Sequence, residues 1–121
     1  MFERRLAEIA ARLDGLAFAS LVAADGIRVE SHEGGQDLGE LNADSLAVEL
    51  LTQLREISRN HAELGLGEIF EYALGTEHFF VMLGRVAPGY YLMLVLTNGA
   101  SIGRARFELR RAPLAFQADL L

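Results

Sequence analysis

The segment 42–64 constrains the fold of this chain more than any other stretch. Its apolar residues recur at helical spacing, and Asn42 is a residue type that caps helix N-termini. The main apolar stripe comprises Ala43, Leu46, Ala47, Leu50, Leu54, Ile57 and His61. Val48 and Leu51 widen this stripe beyond the roughly 100° that contact with one sheet requires. The pattern predicts one long helix that packs on a sheet and also meets a second surface, which belongs either to the same chain or to a partner chain.

Five shorter segments have the apolar patterns of β-strands. They span residues 16–23, 27–31, 68–74, 78–85 and 90–96. The last of these is an unbroken apolar run, which is typical of a central strand, whereas Glu71 in the third segment indicates an edge or an interface. Asp25-Gly26 predicts a hairpin between the first two strands. The glycine-rich stretch 32–40 predicts a mobile loop.

Two further segments have the pattern of amphipathic helices. Residues 2–13 predict a first helix, and residues 100–111 predict a last one that ends at Pro113. The chain is therefore expected to form one domain over residues 1–112, followed by an apolar tail over residues 113–121.

Composition excludes several classes of protein. The chain has 121 residues, which is enough for one domain with a core but not for two, and it has no cysteine that could form a disulfide or a thiolate metal site. The net charge of −6 argues against nucleic acid as the main partner. No apolar run approaches the ~20 residues that span a bilayer. We therefore expect a soluble, cytoplasmic protein without membrane insertion.

The charges are unevenly distributed along the chain. Twelve acids and three arginines lie between Asp25 and Glu77, whereas four arginines and only Glu108 lie between Ala100 and Arg111. The outer face of the last helix is predicted to carry Arg104, Phe107, Arg110 and Arg111. Such a face is either a solvated surface or a partner-binding patch, and the aromatic residue among the arginines favours a patch.

No pattern of catalytic or metal-ligating residues is present. The three histidines, His32, His61 and His78, lack ligand spacing, and His61 is interpreted as a core or interface residue. The chain has neither a complete nucleotide-binding fingerprint nor a nucleophile elbow. We therefore expect a protein that is not an enzyme and that has no catalytic residue, bound metal or cofactor.

The predicted elements follow the order helix, hairpin, long helix, three-strand meander and helix. This order resembles the roadblock (dynein light chain) family, and so do the segments ASLVAADGIRVES in the hairpin and LTNGASIGRARFELRRA at the end. The resemblance covers residues 2–112. It implies an α+β sandwich of type α-β-β-α-β-β-β-α, with a five-stranded antiparallel sheet of order 2-1-5-4-3. The long helix is expected on one face of this sheet and the two terminal helices on the other.

The resemblance also implies a homodimer in which third strands pair and second helices pack together. The expected interface residues are Val48, Leu51, Arg55, Ile69, Phe70, Glu71 and Tyr72. Bacterial members similar to the gliding-motility regulator MglB bind a small Ras-like GTPase and promote its GTP hydrolysis without inserting an arginine. The expected partner-binding residues are Arg55, Arg59, Arg104, Phe107, Arg110 and Arg111.

Two other functions remain open for a chain of this kind. One is a structural adaptor that docks a motor or an assembly without affecting nucleotide turnover. The other is a small-ligand sensing module, which an apolar cavity closed by the tail would favour.

Overall fold

The computed structural model describes residues 1–120, which form four helices and five strands. In chain order these are α1 (Phe2–Ala11), β1 (Leu16–Ala23), β2 (Arg28–Glu33), α2 (Ala43–Arg59), α3 (His61–Leu64), β3 (Glu71–Gly75), β4 (Phe79–Ala87), β5 (Tyr90–Thr97) and α4 (Ile102–Leu120). Leu121, the last residue of the predicted tail, lies outside the described residues.

The five strands form one antiparallel sheet of order β2-β1-β5-β4-β3. The apolar run of β5 is central, and β2 and β3 form the two edges. The predicted strand order and both predicted edges are therefore confirmed.

A hydrophobic core lies on each face of the sheet. Because neighbouring residues of a strand point to opposite faces, Leu92 and Leu94 pack with α1 and α4, whereas Met93 and Val95 pack with α2. The long helix thus covers one face and the terminal helices cover the other, as the resemblance implied.

The long helix is shorter than the sequence predicted. Its N-terminus is confirmed, because the Oδ1 atom of Asn42 accepts a hydrogen bond from Ser45 N at 3.0 Å. The predicted position of its C-terminus, at residue 64, is wrong. The helix α2 ends at Arg59, and Asn60, with φ −102° and ψ 7°, separates it from the single turn α3. Apolar periodicity continues across Asn60, so the pattern alone could not locate this break.

The last helix is longer than the sequence predicted, since it continues through Pro113 to Leu120. Proline has no N–H to donate to the Leu109 carbonyl, and this usually costs a helix ~3 kcal/mol. The helix continues because its C-terminal half is held on α1: Phe116 is fully buried, with its ring centroid 6.3 Å from that of Phe2. The expectation that the helix ends at Pro113 is wrong, and the helix crosses the predicted boundary between domain and tail.

An ion pair also anchors this C-terminal half. Arg5 Nε donates to Asp119 Oδ2 at 2.8 Å, and this hydrogen bond raises the pKa of the Arg5 guanidinium above its ordinary value. The apolar and the ionic contact together hold the C-terminal half of α4 against α1.

Candidate functional site: an open strand edge, the last helix and the groove between them

Strand β3 leaves one side of its backbone without a partner among residues 1–120. It pairs with β4 alone, and Arg85 N donates to Phe70 O at 3.0 Å just before the strand begins. Since hydrogen-bonded pairs alternate along an antiparallel ladder, the amides of Glu71, Ala73 and Gly75 point away from β4. This edge can accept another strand.

Of the residues near the start of β3, some have side chains that pack against the core and others have side chains exposed to solvent. The strand starts at Glu71 rather than at residue 68, so Phe70 lies in the preceding segment and is 65% exposed. Ile69 and Tyr72 are half-buried and pack against the core beneath α2. Of these predicted interface residues, Phe70 presents the largest free apolar surface.

The predicted interface residues on α2 also differ in their exposure to solvent. Leu51 is only 3% exposed and belongs to the core under the helix, so the expectation that it faces a second surface is wrong. Val48 is exposed, but the hairpin turn at Gly26 comes close to it: a Cβ at Gly26 would lie 2.7 Å from the Cα of Val48. The hairpin turn of the same chain therefore approaches part of the apolar arc. Arg55 is exposed and has no carboxylate within 4 Å in the described part of the chain.

Glu71 is bound within its own chain rather than free at the edge. Arg106 Nε lies 2.9 Å from its Oε2 atom, and Arg110 Nε lies 3.6 Å from its Oε1 atom. The second distance is too long for a hydrogen bond, and Oε1 has no hydrogen-bond partner among residues 1–120. The edge that Glu71 predicted is confirmed, whereas its arginine partners could not be predicted, because Arg106 and Arg110 are more than thirty residues away in the chain.

The outer face of α4 carries the predicted basic and aromatic residues. Phe107 is 55% exposed, and the guanidinium carbon of Arg111 lies 5.7 Å from its ring centroid, in the range of a cation–π contact. Arg104 is exposed on the same face. Because α4 continues past Pro113, Leu114, which is 86% exposed, extends this face two helical turns beyond Phe107. Sequence analysis missed Leu114 because it assigned residue 114 to the tail.

Glu108 is a buried carboxylate that sequence analysis did not identify. It lies on α4, and its Oε1 atom is 3.2 Å from Nη1 of Arg12, the residue that follows α1, and 3.8 Å from Nε of Arg111. A buried carboxylate requires such partners. The available signal was that Glu108 is the single acid in the basic stretch, and the contact ties the two terminal helices together.

The predicted partner-binding residues lie on two opposite surfaces. Arg55 and Arg59 belong to α2, and Arg59 pairs with Glu56 at 2.7 Å. Arg104, Phe107, Arg110 and Arg111 belong to α4, on the other face of the sheet. A single chain therefore does not bring the two groups together.

A groove with a volume of about 730 Å³ lies between α4 and the β3–β4 side of the sheet. We call it the α4 groove, and its lining residues are Phe70, Glu71, Gly84, Arg85, Val86, Ala87, Pro88, Leu109, Arg110, Pro113 and Gln117. Pro113 and Gln117 come from the segment that the sequence predicted as a tail. Sequence analysis could not find the groove, because its walls come from three separate parts of the chain.

Two other kinds of feature are absent from residues 1–120. No group of three or more histidine, aspartate or glutamate side chains is arranged to hold a metal ion. None of the helices in this range is both long and apolar enough to span a bilayer.

Comparisons with known proteins give structural neighbours but no sequence relatives. No family model and no curated protein matches the chain. A Roadblock/LC7 domain from Streptomyces avermitilis superposes with a TM-score of 0.82 at 15% identity, covering 98% of this chain and 96% of that one. The gliding protein MglB of Thermus thermophilus gives 0.80 at 19% identity, covering 91% and 81%. MglC of Myxococcus xanthus gives 0.69 at 27% identity, covering 96% of each chain.

These neighbours agree with the resemblance found in the sequence. They share the five-stranded antiparallel sheet with helices on both faces, over nearly the whole chain. The chain therefore has the roadblock fold, and its structural neighbours are Roadblock/LC7 domains and the MglB and MglC gliding proteins.

Proposed function

We propose that this protein is a non-enzymatic, homodimeric regulator that acts in the cytoplasm by binding a small Ras-like GTPase and promoting its GTP hydrolysis. The fold shared with MglB proteins supports the regulatory class. The observation that carries the proposal is the open edge of β3, with exposed Phe70 beside it. Pairing of two such edges would join the sheets of two chains.

The dimer is the first expected result. Light scattering at micromolar concentration should give about twice the chain mass of 13.3 kDa. Ala73→Pro should give a single chain mass, because proline removes an outward N–H that a second strand would need. The ladder with β4 does not use this N–H, so the fold should be retained.

Ala73→Val is the matched control for the dimer test. Valine keeps the N–H and favours extended backbone, so this variant should remain dimeric. A monomeric wild-type protein would contradict the proposal. A folded Ala73→Pro variant that stays dimeric would show that the chains associate through a different surface.

The second expected result concerns the GTPase. Adding this protein should accelerate single-turnover GTP hydrolysis by the cognate Ras-like GTPase, which a pull-down followed by mass spectrometry would identify. Replacing Arg55, Arg59 or Arg104 singly by alanine should leave most of the acceleration, because the proposed mechanism uses no inserted arginine. Complete loss in one such folded dimer would overturn that mechanism. Binding without acceleration would instead support an adaptor.

The GTPase is proposed to contact the outer face of α4. Phe107→Ala should weaken GTPase binding at least tenfold and more than Arg104→Ala, because an aromatic anchor contributes more than a charge at the rim of an interface. The pair Arg55→Ala/Arg59→Ala tests the alternative surface on α2. If that double variant loses binding while folded Phe107→Ala retains it, the contact surface is α2 and this assignment is wrong.

A further inference from the structure

The α4 groove has the dimensions of a small-molecule site. Its volume of about 730 Å³ lies within the ~300–1,000 Å³ that ligand pockets occupy. Apolar side chains, including Phe70, Leu109 and Pro113, form much of its lining. Pro113 and Gln117, from the C-terminal half of α4, form one side of the groove. An apolar cavity closed by this segment is the feature that was expected of a small-ligand sensing module.

The net charge of the side chains at the groove is positive, whereas that of the whole chain is negative. The chain carries −6 overall, but two guanidiniums and one carboxylate line the groove, and two of these three groups have partners just outside it. Arg85 pairs with Glu68 at 3.1 Å, and Arg106 pairs with Glu71 at 2.9 Å. Within residues 1–120, the one carboxylate contact of the remaining guanidinium, that of Arg110, is at 3.6 Å to Glu71, which Arg106 already holds.

Arg110 is therefore the guanidinium lining the groove that makes no hydrogen bond to a carboxylate within residues 1–120. Its side chain is 71% exposed, and at 3.6 Å its contact with Glu71 is not a hydrogen bond. A guanidinium can bind a carboxylate through two parallel hydrogen bonds. The groove is lined by two guanidiniums, of Arg85 and Arg110, and one carboxylate, of Glu71, so a cationic ligand meets a net positive lining, whereas the carboxylate of an anionic ligand would gain Arg110 as a partner.

We infer that the α4 groove binds a small apolar molecule that carries one carboxylate. The carboxylate pairs with Arg110 at the rim, and the apolar body lies between Phe70, Leu109 and Pro113. This activity goes beyond GTPase regulation, and the two proposals share Phe70, which lines the groove and lies beside the β3 edge.

The test uses the full chain alone with three probes, each below any micelle-forming concentration. Decanoate has both the apolar chain and the carboxylate, acetate has only the carboxylate, and decyltrimethylammonium has the chain with a positive charge. Calorimetric titration should detect decanoate binding at least tenfold tighter than that of either other probe. Absence of decanoate binding at millimolar concentration would overturn the inference, and so would equal binding of the cationic probe.

Two variants locate the binding. Arg110→Gln should weaken decanoate binding at least tenfold, while the matched control Arg104→Gln, on the same helix but outside the groove, should not change it. Amide chemical shifts of wild-type protein should move at Gly84, Ala87 and Gln117 when decanoate is added. Shifts confined to other regions, or unchanged affinity in folded Arg110→Gln, would show that the groove is not the site.

Discussion

Phe116→Ala is expected to lower the free energy of unfolding by ~3–5 kcal/mol. The phenyl ring is fully buried and stacks on Phe2 at an interplanar angle of 18°. Removing it leaves a cavity between α1 and α4 that the surrounding helices can fill only in part. Denaturant titration at one fixed protein concentration measures the loss, since association would otherwise shift the apparent stability.

Leu114→Ala is the control for this prediction. It lies two residues away on the same helix but is almost fully exposed, so its truncation should change stability by no more than ~0.5 kcal/mol. Equal effects of the two substitutions would mean that the C-terminal half of α4 does not pack as described. A small effect of Phe116→Ala alone would mean that the segment is a dispensable tail.

Gly34→Ala is the second prediction with a large effect, about 3 kcal/mol or more of lost stability. A Cβ at this position would overlap the carbonyl oxygen of Leu16 and lie 2.6 Å from its carbonyl carbon. Both atoms are backbone of β1, so neither can move without disturbing the sheet. Gly34 N also donates to Ala17 O at 2.9 Å, and the added methyl group would strain this bond.

Gly35→Ala is the matched control on the neighbouring residue. A Cβ there would meet nothing within 4 Å, and Gly35 is not among the glycines with positive φ. Its replacement should leave stability unchanged or raise it by up to ~1 kcal/mol, because alanine restricts the unfolded chain. Thermal unfolding of both variants separates the two results. Equal, small effects would show that residues 34–35 form the mobile loop that the glycine pattern predicted.

The fold prediction succeeded where a few consecutive residues show how a strand is buried. In β5, every residue from Leu92 to Leu96 is buried, and successive residues enter different cores. Such a run fits only a central strand covered on both faces. The acid in β3 indicated one edge from the chemistry of a few consecutive residues, and the strand order implied by the roadblock resemblance gave both edges.

The candidate site was predicted less completely. The exposed residues of α4 and the edge position of β3 were identified from the sequence, whereas the burial of Leu51, the arginine partners of Glu71 and the buried carboxylate of Glu108 were not. In each of these three cases, a distant part of the chain provides the contact that buries or pairs the side chain. A periodic pattern shows that a side chain is buried in the folded protein, but it does not show which segment packs against it.

The type of nearly every element could be predicted from the sequence, and the roadblock resemblance added the strand order and the faces that the helices cover. Three features required the three-dimensional structure: the break of the long helix, the continuation of the last helix through Pro113, and the groove beside it. The physical reason is the range of the interactions. Periodicity and capping act within a few residues, whereas the burial of Phe116 against Phe2 joins opposite ends of the chain and outweighs the local cost of a proline.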